Sequence, residues 1–241
     1  MTTFNVWFDA YFAEQRYHAI ARVLAREMPD MMVFQEITPE ALSIFLSQSW
    51  IRKHYRSAAV AGGRLGNYGM LMLSRLPTAK ATYTRLPTRL ARGFLRAEFT
   101  VNGKPLVVCC VHLESGKRNV RLRGRQLRRV FRALRSADDA IVLGDFNMRD
   151  IENAQITPPY RDVWPMLRPD DDGFTEDTAI NHMRYDSKNK DRQVRFDRVL
   201  VKGSAWAATS IDLLGTESIS SAHPRVFPSD HFGVRCRFVR R

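Results

Sequence analysis

Short apolar runs that stop on an acidic, amide or imidazole side chain recur along this chain and constrain its fold more than any other feature. Thr3–Phe8 holds Asn5, Met31–Gln35 delivers Glu36, and Leu106–Leu113 carries His112 near its end. Ala140–Leu143 runs into Gly144-Asp145, Val194–Val201 contains Asp197, and Phe232–Phe238 follows directly on Ser229-Asp230-His231. Apolar runs of this length bounded by turn residues read as buried strands. Polar groups gathered where strands stop belong to one rim, where loops converge while the sheets hold them rigid.

Between the runs lie helices and turns. Ile20, Val23, Leu24 and Glu27 set a helical pattern that stops at the Pro29-Asp30 turn. Thr38 caps a second helix, with Pro39 at its first position and Leu42, Phe45 and Leu46 on its buried face. After Ala61–Gly66, read as a flexible glycine-rich connection, Tyr68–Ser74 is another strand, and Arg75–Arg92 is broken up by Pro77 and Pro87. Asn102-Gly103 is a hairpin signal joining Phe94–Val101 to Leu106–Leu113. Val120–Arg135 reads as a helix, and residues from about 151 to 189 as polar and irregular. In the last strand Phe232, Val234, Cys236 and Phe238 share one apolar face. Hairpins with intervening helices imply an α/β chain folded as one domain over residues 1–241. Its expected architecture is a four-layer α/β/β/α sandwich of two packed mixed sheets with outer helices.

Composition narrows the setting. With 44% hydrophobic and 26% charged residues the chain has the make-up of a globular protein. Its 38 Lys and Arg against 25 Asp and Glu give a net charge of +13, which draws polyanions, nucleic acid first and an anionic membrane surface second. Cys109 and Cys110 are neighbours on what reads as a strand, so they point to opposite faces and do not pair. With Cys236 left alone, a reducing intracellular compartment is the expectation. No apolar stretch near the roughly 18 residues of a membrane span and no secretory leader is visible.

Six places hold residue types suited to chemistry: Asn5, Gln35-Glu36, His112-Leu113-Glu114-Ser115, Gly144-Asp145-Phe146-Asn147, Arg195-Phe196-Asp197-Arg198 and Ser229-Asp230-His231. Singly each is ordinary, since a Gly-Asp pair is usually a turn and a lone histidine usually structural. In this order they resemble the signatures of the endonuclease/exonuclease/phosphatase superfamily over nearly the whole chain. Pro29-Asp30, the Asn147–Asp150 extension, Asp212-Leu213-Leu214-Gly215 and Phe227–His231 bring the resemblance nearest to its 5′-tyrosyl-DNA phosphodiesterase branch.

That resemblance implies a Mg²⁺-dependent phosphodiesterase of DNA repair, with Mn²⁺ as a possible substitute. It would act as a monomer on DNA carrying 5′-tyrosyl adducts and a topoisomerase-derived peptide, in the nucleus if the source is a eukaryote. Glu36 is the expected metal ligand, with Asp230 a second metal-side candidate or a hydrogen-bonding support. Asp145 orients or deprotonates the attacking water, Asn5 and Asn147 place nucleophile and phosphate, and His231, oriented by Asp197, donates to a phosphate oxygen. Ser115, His112, Arg149, Tyr68 and Arg118 are the expected substrate-side residues. His112 would support Asn147 or the metal side, and Tyr68 would either meet the 5′ end of the substrate or pack in the core.

The chain departs from the superfamily pattern at two points. Trp7 stands where relatives place an acidic residue after the early Asn, which leaves the metal to Glu36. Glu176 stands where they place a DNA-contacting aromatic ring. The arginines at 121, 125, 128, 132 and 135 form a helical stripe whose plain reading is a solvated face. Rival readings are an abasic-site endonuclease or exonuclease of the same superfamily, a lipid phosphoesterase, and a binding module without catalysis.

Overall fold

The apolar runs build two six-stranded sheets in a computed structural model that describes residues 1–61 and 67–241. Along the chain come β1 (Thr2–Asn5), α1 (Ala13–Glu27), β2 (Met31–Ile37), α2 (Pro39–Ser47), α3 (Ser49–His54), β3 (Arg56–Val60) and β4 (Gly69–Ser74). These are followed by β5 (Thr78–Arg85), β6 (Gly93–Val101), β7 (Lys104–His112), α4 (Val120–Ala133) and β8 (Ala140–Asp145). The short elements β9 (Arg161–Asp162), α5 (Val163–Leu167), β10 (Glu176–Asp177), α6 (Met183–Lys188) and β11 (Gln193–Val194) precede β12 (Asp197–Lys202), β13 (Trp206–Leu214) and β14 (Gly233–Arg240). One sheet runs β13-β14-β1-β2-β4-β3, the other β5-β6-β7-β8-β12-β9, and β10-β11 is a small hairpin apart from both. Each large sheet contains one parallel pair, β1–β2 and β7–β8, so both are mixed.

Period-two alternation assigns the layers. Met31 and Val33 of β2, with Val234 of β14, face the other sheet and join its Val108, Cys110, Ile141, Leu143 and Val199 in the central core. Met32 and Phe34, one residue out of phase, turn the other way beneath Ile20, Leu24 and Phe45 of α1 and α2. Cys109 and Val111 likewise leave the central core and lie under Leu127 and Val130 of α4. The expected sandwich is therefore present, and Cys109 and Cys110 sit on opposite faces, both free, as does Cys236.

Several boundaries differ from the expectation. The strand Thr3–Phe8 ends at Asn5, because Trp7 adopts φ +57° and turns the chain away. Val194–Val201 is two pieces, since Thr175 Oγ1 accepts from the backbone N–H of Phe196 and Asp197 and holds the chain off the ladder between them. The irregular stretch near 151–189 contains the short β9, β10, α5 and α6. Strands β3, β5 and β13 carry no clear apolar alternation because all three are sheet edges, largely half-exposed, and β13 also shifts register between Ala208 and Ser210. Phe232 precedes β14 and packs with Trp7 and Phe227, while Val234, Cys236 and Phe238 keep the shared face. Of the glycine-rich connection, residues 62–66 lie outside the described residues. Among the described residues no helix is long and apolar enough to cross a membrane.

Gly144 shows why the end of β8 is exacting. Its φ is +145°, and a Cβ there would fall 2.1 Å from the Val111 carbonyl oxygen on the parallel neighbour. Gly144→Ala should therefore lose about 3 kcal/mol or more, from backbone strain and a clash with rigid main chain. Urea unfolding would read this; a loss under about 1 kcal/mol would show that the two strands part easily.

Candidate active site

Strand register brings the acidic and imidazole residues together. Pairing of β7 with β8 and of β8 with β12 sets His112, Asp145 and Asp197 side by side across three strands. On the facing sheet, β1 pairs with β2 so that Asn5 lies beside Gln35. The β2–β4 register slips between Gln35 and Ile37, and Glu36 at that slip has φ +61°. Such a bulge re-aims a side chain out of the ladder, and it leaves the Glu36 side chain on the cavity wall.

Asp145 is where the sheets meet. Its Oδ2 accepts from Asn5 Nδ2 at 3.1 Å and Asn147 Nδ2 at 3.0 Å, and its Oδ1 accepts from the Asn147 backbone N–H at 2.8 Å. His112 Nε2 lies 3.4 Å from the same Oδ2 and 3.8 Å from Glu36 Oε1. Arg92 Nη1 donates to His112 Nδ1 at 3.0 Å, which leaves the imidazole proton on Nε2, aimed at the two carboxylates. Burial and then the Arg92 charge both lower the His112 pKa, so this ring is neutral. Burial by itself would raise the Asp145 carboxyl, but the neighbouring His112 ring and the His231 charge outweigh it and hold the group ionised.

His231 has the opposite character. Its Nδ1–H donates to Asp197 Oδ2 at 2.7 Å, and although burial alone would lower its pKa, Asp197, Asp230 and Asp145 together raise it well above the ordinary imidazole value. Burial favours a neutral Asp197, yet the 2.7 Å contact and three neighbouring carboxylates favour the imidazolium, so the shared proton belongs to His231. Ser229 fixes the approach, its Oγ donating to the Asn5 carbonyl at 2.7 Å and accepting from the His231 N–H at 3.3 Å.

These groups open on a cavity of about 670 Å³. Of the residues expected from the sequence, Asn5, Glu36, Tyr68, Ser115, Asp145, Asn147, Arg149, Asp230 and His231 line it. Asp197 stands behind His231, and His112 is 3% exposed behind Asp145, which makes it a support rather than a substrate contact. Arg118 faces a neighbouring depression with Arg89, Arg121 and Arg125 instead of the cavity. Asp230 lies 3.8 Å from Arg184, on the His231 side. Tyr68 is half-buried, stacked on Phe8 at 4.9 Å between ring centroids and accepting from Arg92 at 2.8 Å. Arg149 lies over the Phe196 ring at 5.5 Å.

Other participants were not anticipated. Arg92 lay in a stretch with no strand signal, and Lys117, Arg184, Lys190 and Arg192 add positive charge to the wall. Glu176, 2% exposed, is paired with Arg184 at 3.2 Å and Arg192 at 3.0 Å, so the departure from an aromatic residue is filled by a buried carboxylate under two half-buried arginines. Two fully buried arginines hold the loops. Arg16 donates to the carbonyls of Val6, Trp7, Asp9 and Tyr11, and Arg123 grips Glu152 at 2.6 and 2.8 Å while donating to the carbonyls of Glu114 and Gly116 on either side of Ser115. No motif distinguishes such arginines from solvated ones.

The donor set suits a hard divalent ion held lightly. Glu36 accepts from the Phe8 N–H at 3.2 Å and, among the described residues, has no Lys or Arg within ion-pair distance. Among the same residues no three His, Cys, Asp or Glu converge as a metal cage. A single carboxylate without a cationic partner, open to a cavity, is what Mg²⁺ uses when waters and phosphate oxygens complete its shell, whereas a structural zinc needs four protein ligands. A second cleft of about 750 Å³, at the opposite ends of the strands near Met1, Trp206 and Phe238, has its Arg75 and Arg235 paired with Asp30, Glu27 and Asp212.

Residues 2–231 match the model of the Endonuclease/Exonuclease/phosphatase family. Tyrosyl-DNA phosphodiesterase 2 of Gallus gallus is 28% identical over 93% of this chain and 62% of its own length. The Xenopus laevis protein of that name is 30% identical over 98% of this chain and 66% of its own, so the chain spans about two thirds or less of these relatives. Among solved structures, D. rerio TDP2 complexed with single strand DNA product superposes with a TM-score of 0.87 at 25% identity, covering 99% of this chain and 97% of that one. Truncated Caenorhabditis elegans TDP2 has the same fold, with a TM-score of 0.84 at 22% identity over 98% and 95% of the two chains.

The Arg123–Glu152 pair generates a stability prediction. Arg123→Ala strands a buried carboxylate and frees the carbonyls around Ser115, and should cost about 3–5 kcal/mol in urea unfolding. The double variant Arg123→Met, Glu152→Leu should recover most of it; an Arg123→Ala protein as stable as the parent would contradict the burial.

Proposed function

Because the chain belongs to the endonuclease/exonuclease/phosphatase family, we propose that it is a divalent-metal-dependent phosphodiesterase that hydrolyses the 5′-phosphotyrosyl bond between DNA and a topoisomerase-derived tyrosine. The product would be a 5′-phosphate, and the setting DNA repair. The observation that carries this reading is the pair of buried groups on one cavity wall, an ionised Asp145 and a protonated His231. A phosphodiester calls for an acceptor for the attacking water on one side and donors to its oxygens on the other.

Asp145 receives three good hydrogen bonds, which make it a weak base. Its task is to orient a water by accepting its hydrogen bond, taking the proton only as the new phosphorus–oxygen bond forms. Asn5 and Asn147 fix that carboxylate, since Asn5 Oδ1 is committed to the Trp7 N–H at 3.0 Å and Asn147 Nδ2 also reaches the Leu113 carbonyl at 3.1 Å. His231, held by Asp197, presents an imidazolium to a non-bridging phosphate oxygen, and Ser115 after β7 and Arg149 after β8 add donors from two further loops. A divalent ion at Glu36, Mg²⁺ or in its place Mn²⁺, would neutralise charge on the phosphoryl and leaving oxygens. The phenol of tyrosine, with a pKa of roughly 10, leaves more readily than a sugar alcohol and asks for less protonation. Phe8, Tyr68 and Leu90 give one side of the cavity the apolar surface that a tyrosyl ring or a terminal base would cover.

The deciding experiment presents the purified protein and Mg²⁺ with a 5′-tyrosyl oligonucleotide, an abasic duplex and a phosphoinositide, each with and without chelator. Release of tyrosine with a 5′-phosphate product, lost with chelator, is expected; faster cleavage of the abasic duplex or the lipid would overturn the substrate. Asp145→Asn should lower kcat at least about 100-fold. The pH profile of kcat should hold its plateau well above the ordinary imidazole value of about 6.5 and fall only when His231 loses its proton on the alkaline side. Asp197→Asn should move that alkaline limb to lower pH, and an unmoved limb would remove His231 from the chemistry.

A further inference from the structure

The proposed catalytic cavity leaves the outer face of α4 without a role. Arg121, Arg125, Arg128 and Arg132 recur at intervals of four, three and four residues, and all are exposed. That spacing places them on one helix face. Like charges at such spacing weaken a helix, and cations near its first turn oppose the helix dipole. Among the described residues none of these four lies within ion-pair distance of a carboxylate, although the buried arginines all have fixed partners: Arg123 on Glu152, Arg195 and Arg198 on Asp162, Arg92 on Tyr68 and His112, Arg16 on backbone carbonyls. The carboxylates near the site serve the interior, and this face keeps its full charge.

The charged face is continuous with the cavity. Two tight turns form the divide between the cavity and the depression beside α4. Leu90 and Arg92 line the cavity, whereas Thr88 and Arg89 line the depression. Ser115, Gly116 and Lys117 belong to the cavity, whereas Arg118 and Asn119 belong to the depression with Arg121 and Arg125. Both turns are pinned by Glu114, fully buried: it accepts from Thr88 Oγ1 at 2.6 Å and from the Arg89 N–H at 3.2 Å, and its own N–H donates to Gln126 of α4 at 2.8 Å. In each turn the lining passes from depression to cavity between consecutive residues, Arg89 to Leu90 and Arg118 to Lys117, and positive charge runs across the divide from Lys117 to Arg118 to Arg121.

We propose that this arginine face is a second phosphate track, which binds the sugar-phosphate backbone of the DNA strand as it leaves the catalytic cavity. Arg121 to Arg132 span about 16 Å of helix axis, or roughly five nucleotides at 3.4 Å of rise each. The face holds no aromatic or apolar groups in its line of arginines, so it contacts the backbone without reading bases, and it lengthens the footprint without touching the reacting phosphorus. The inference rests on the phosphodiesterase reading for the direction of the strand, but not for the binding itself.

The test replaces Arg121, Arg125, Arg128 and Arg132 together with Gln, and separately with Lys. Turnover is measured on 5′-tyrosyl substrates of two and twenty nucleotides. The Gln protein should keep the parent kcat and KM on the short substrate and show at least a tenfold higher KM on the long one, while the Lys protein retains most of the parent behaviour. Anisotropy with an unmodified single-stranded 20-mer in chelator, across a salt series, reads binding without turnover; the slope of log affinity against log salt should become shallower by about 3 in the Gln protein, near 0.7 for each phosphate that is no longer neutralised. Absence of any turnover by the parent would refute the catalytic reading while this series still decides the track. Equal long-substrate KM and equal salt slopes in parent and Gln protein would overturn the proposal. So would a Gln protein that binds the 20-mer normally but loses binding to phosphatidylserine vesicles.

Discussion

Protonation states that burial alone would not give govern this site. His112, Asp145 and Asp197 occupy one line across β7, β8 and β12, and all three are buried. Left to desolvation alone, both carboxylates would become neutral and the imidazoles would lose their protons. Specific partners prevent that at the two carboxylates and at His231, but not at His112. Arg92 keeps His112 neutral and turns its remaining proton toward Asp145, while Asp197 stores its negative charge beneath His231 and keeps that ring charged. Two histidines in one site, each a few ångströms from a carboxylate of its own, thereby hold different protonation states, which suits the two sides of a phosphoryl group.

The same logic runs outward into the fold. The loops bearing Trp7, Ser115 and Arg149 are held, beyond their apolar contacts, by buried arginines that donate to backbone carbonyls and by Glu152. Enclosing the guanidinium groups of Arg16 and Arg123 is expensive unless every donor nitrogen finds a partner, as each does here. Once satisfied, they make the rim rigid, and rigidity at the rim is what preorganised donors require. The acidic residues consumed in this way leave the surface with an excess of positive charge, which steers a polyanion toward the cavity.

Much of this was legible in the sequence. Continuous apolar runs revealed the central strands, and the phase of Cys109 and Cys110 revealed their two faces. The terminal polar residues marked which groups lie at one rim, while the pairs that touch, His112 beside Asp145 and Asp145 beside Asp197, follow from a register the sequence does not display. The edge strands β3, β5 and β13 were not legible, since a strand with one bare side and a half-exposed face has no alternation to read. Nor was the outward turn of Glu36, which depends on a bulge set by pairing with β4, nor the role of Thr175, whose hydroxyl stops the Asp197 strand from beginning at Val194. Arg92 and Glu176 escaped for a related reason: their importance comes from partners distant in the chain, His112 in one case and Arg184 and Arg192 in the other.

The site depends on the contrast between two imidazole rings, and nitrogen-detected NMR of the histidine side chains reads it directly. At neutral pH His231 should show both ring nitrogens protonated and His112 only Nε2. A neutral His231, or a doubly protonated His112, would contradict the charge arrangement on which the site is built.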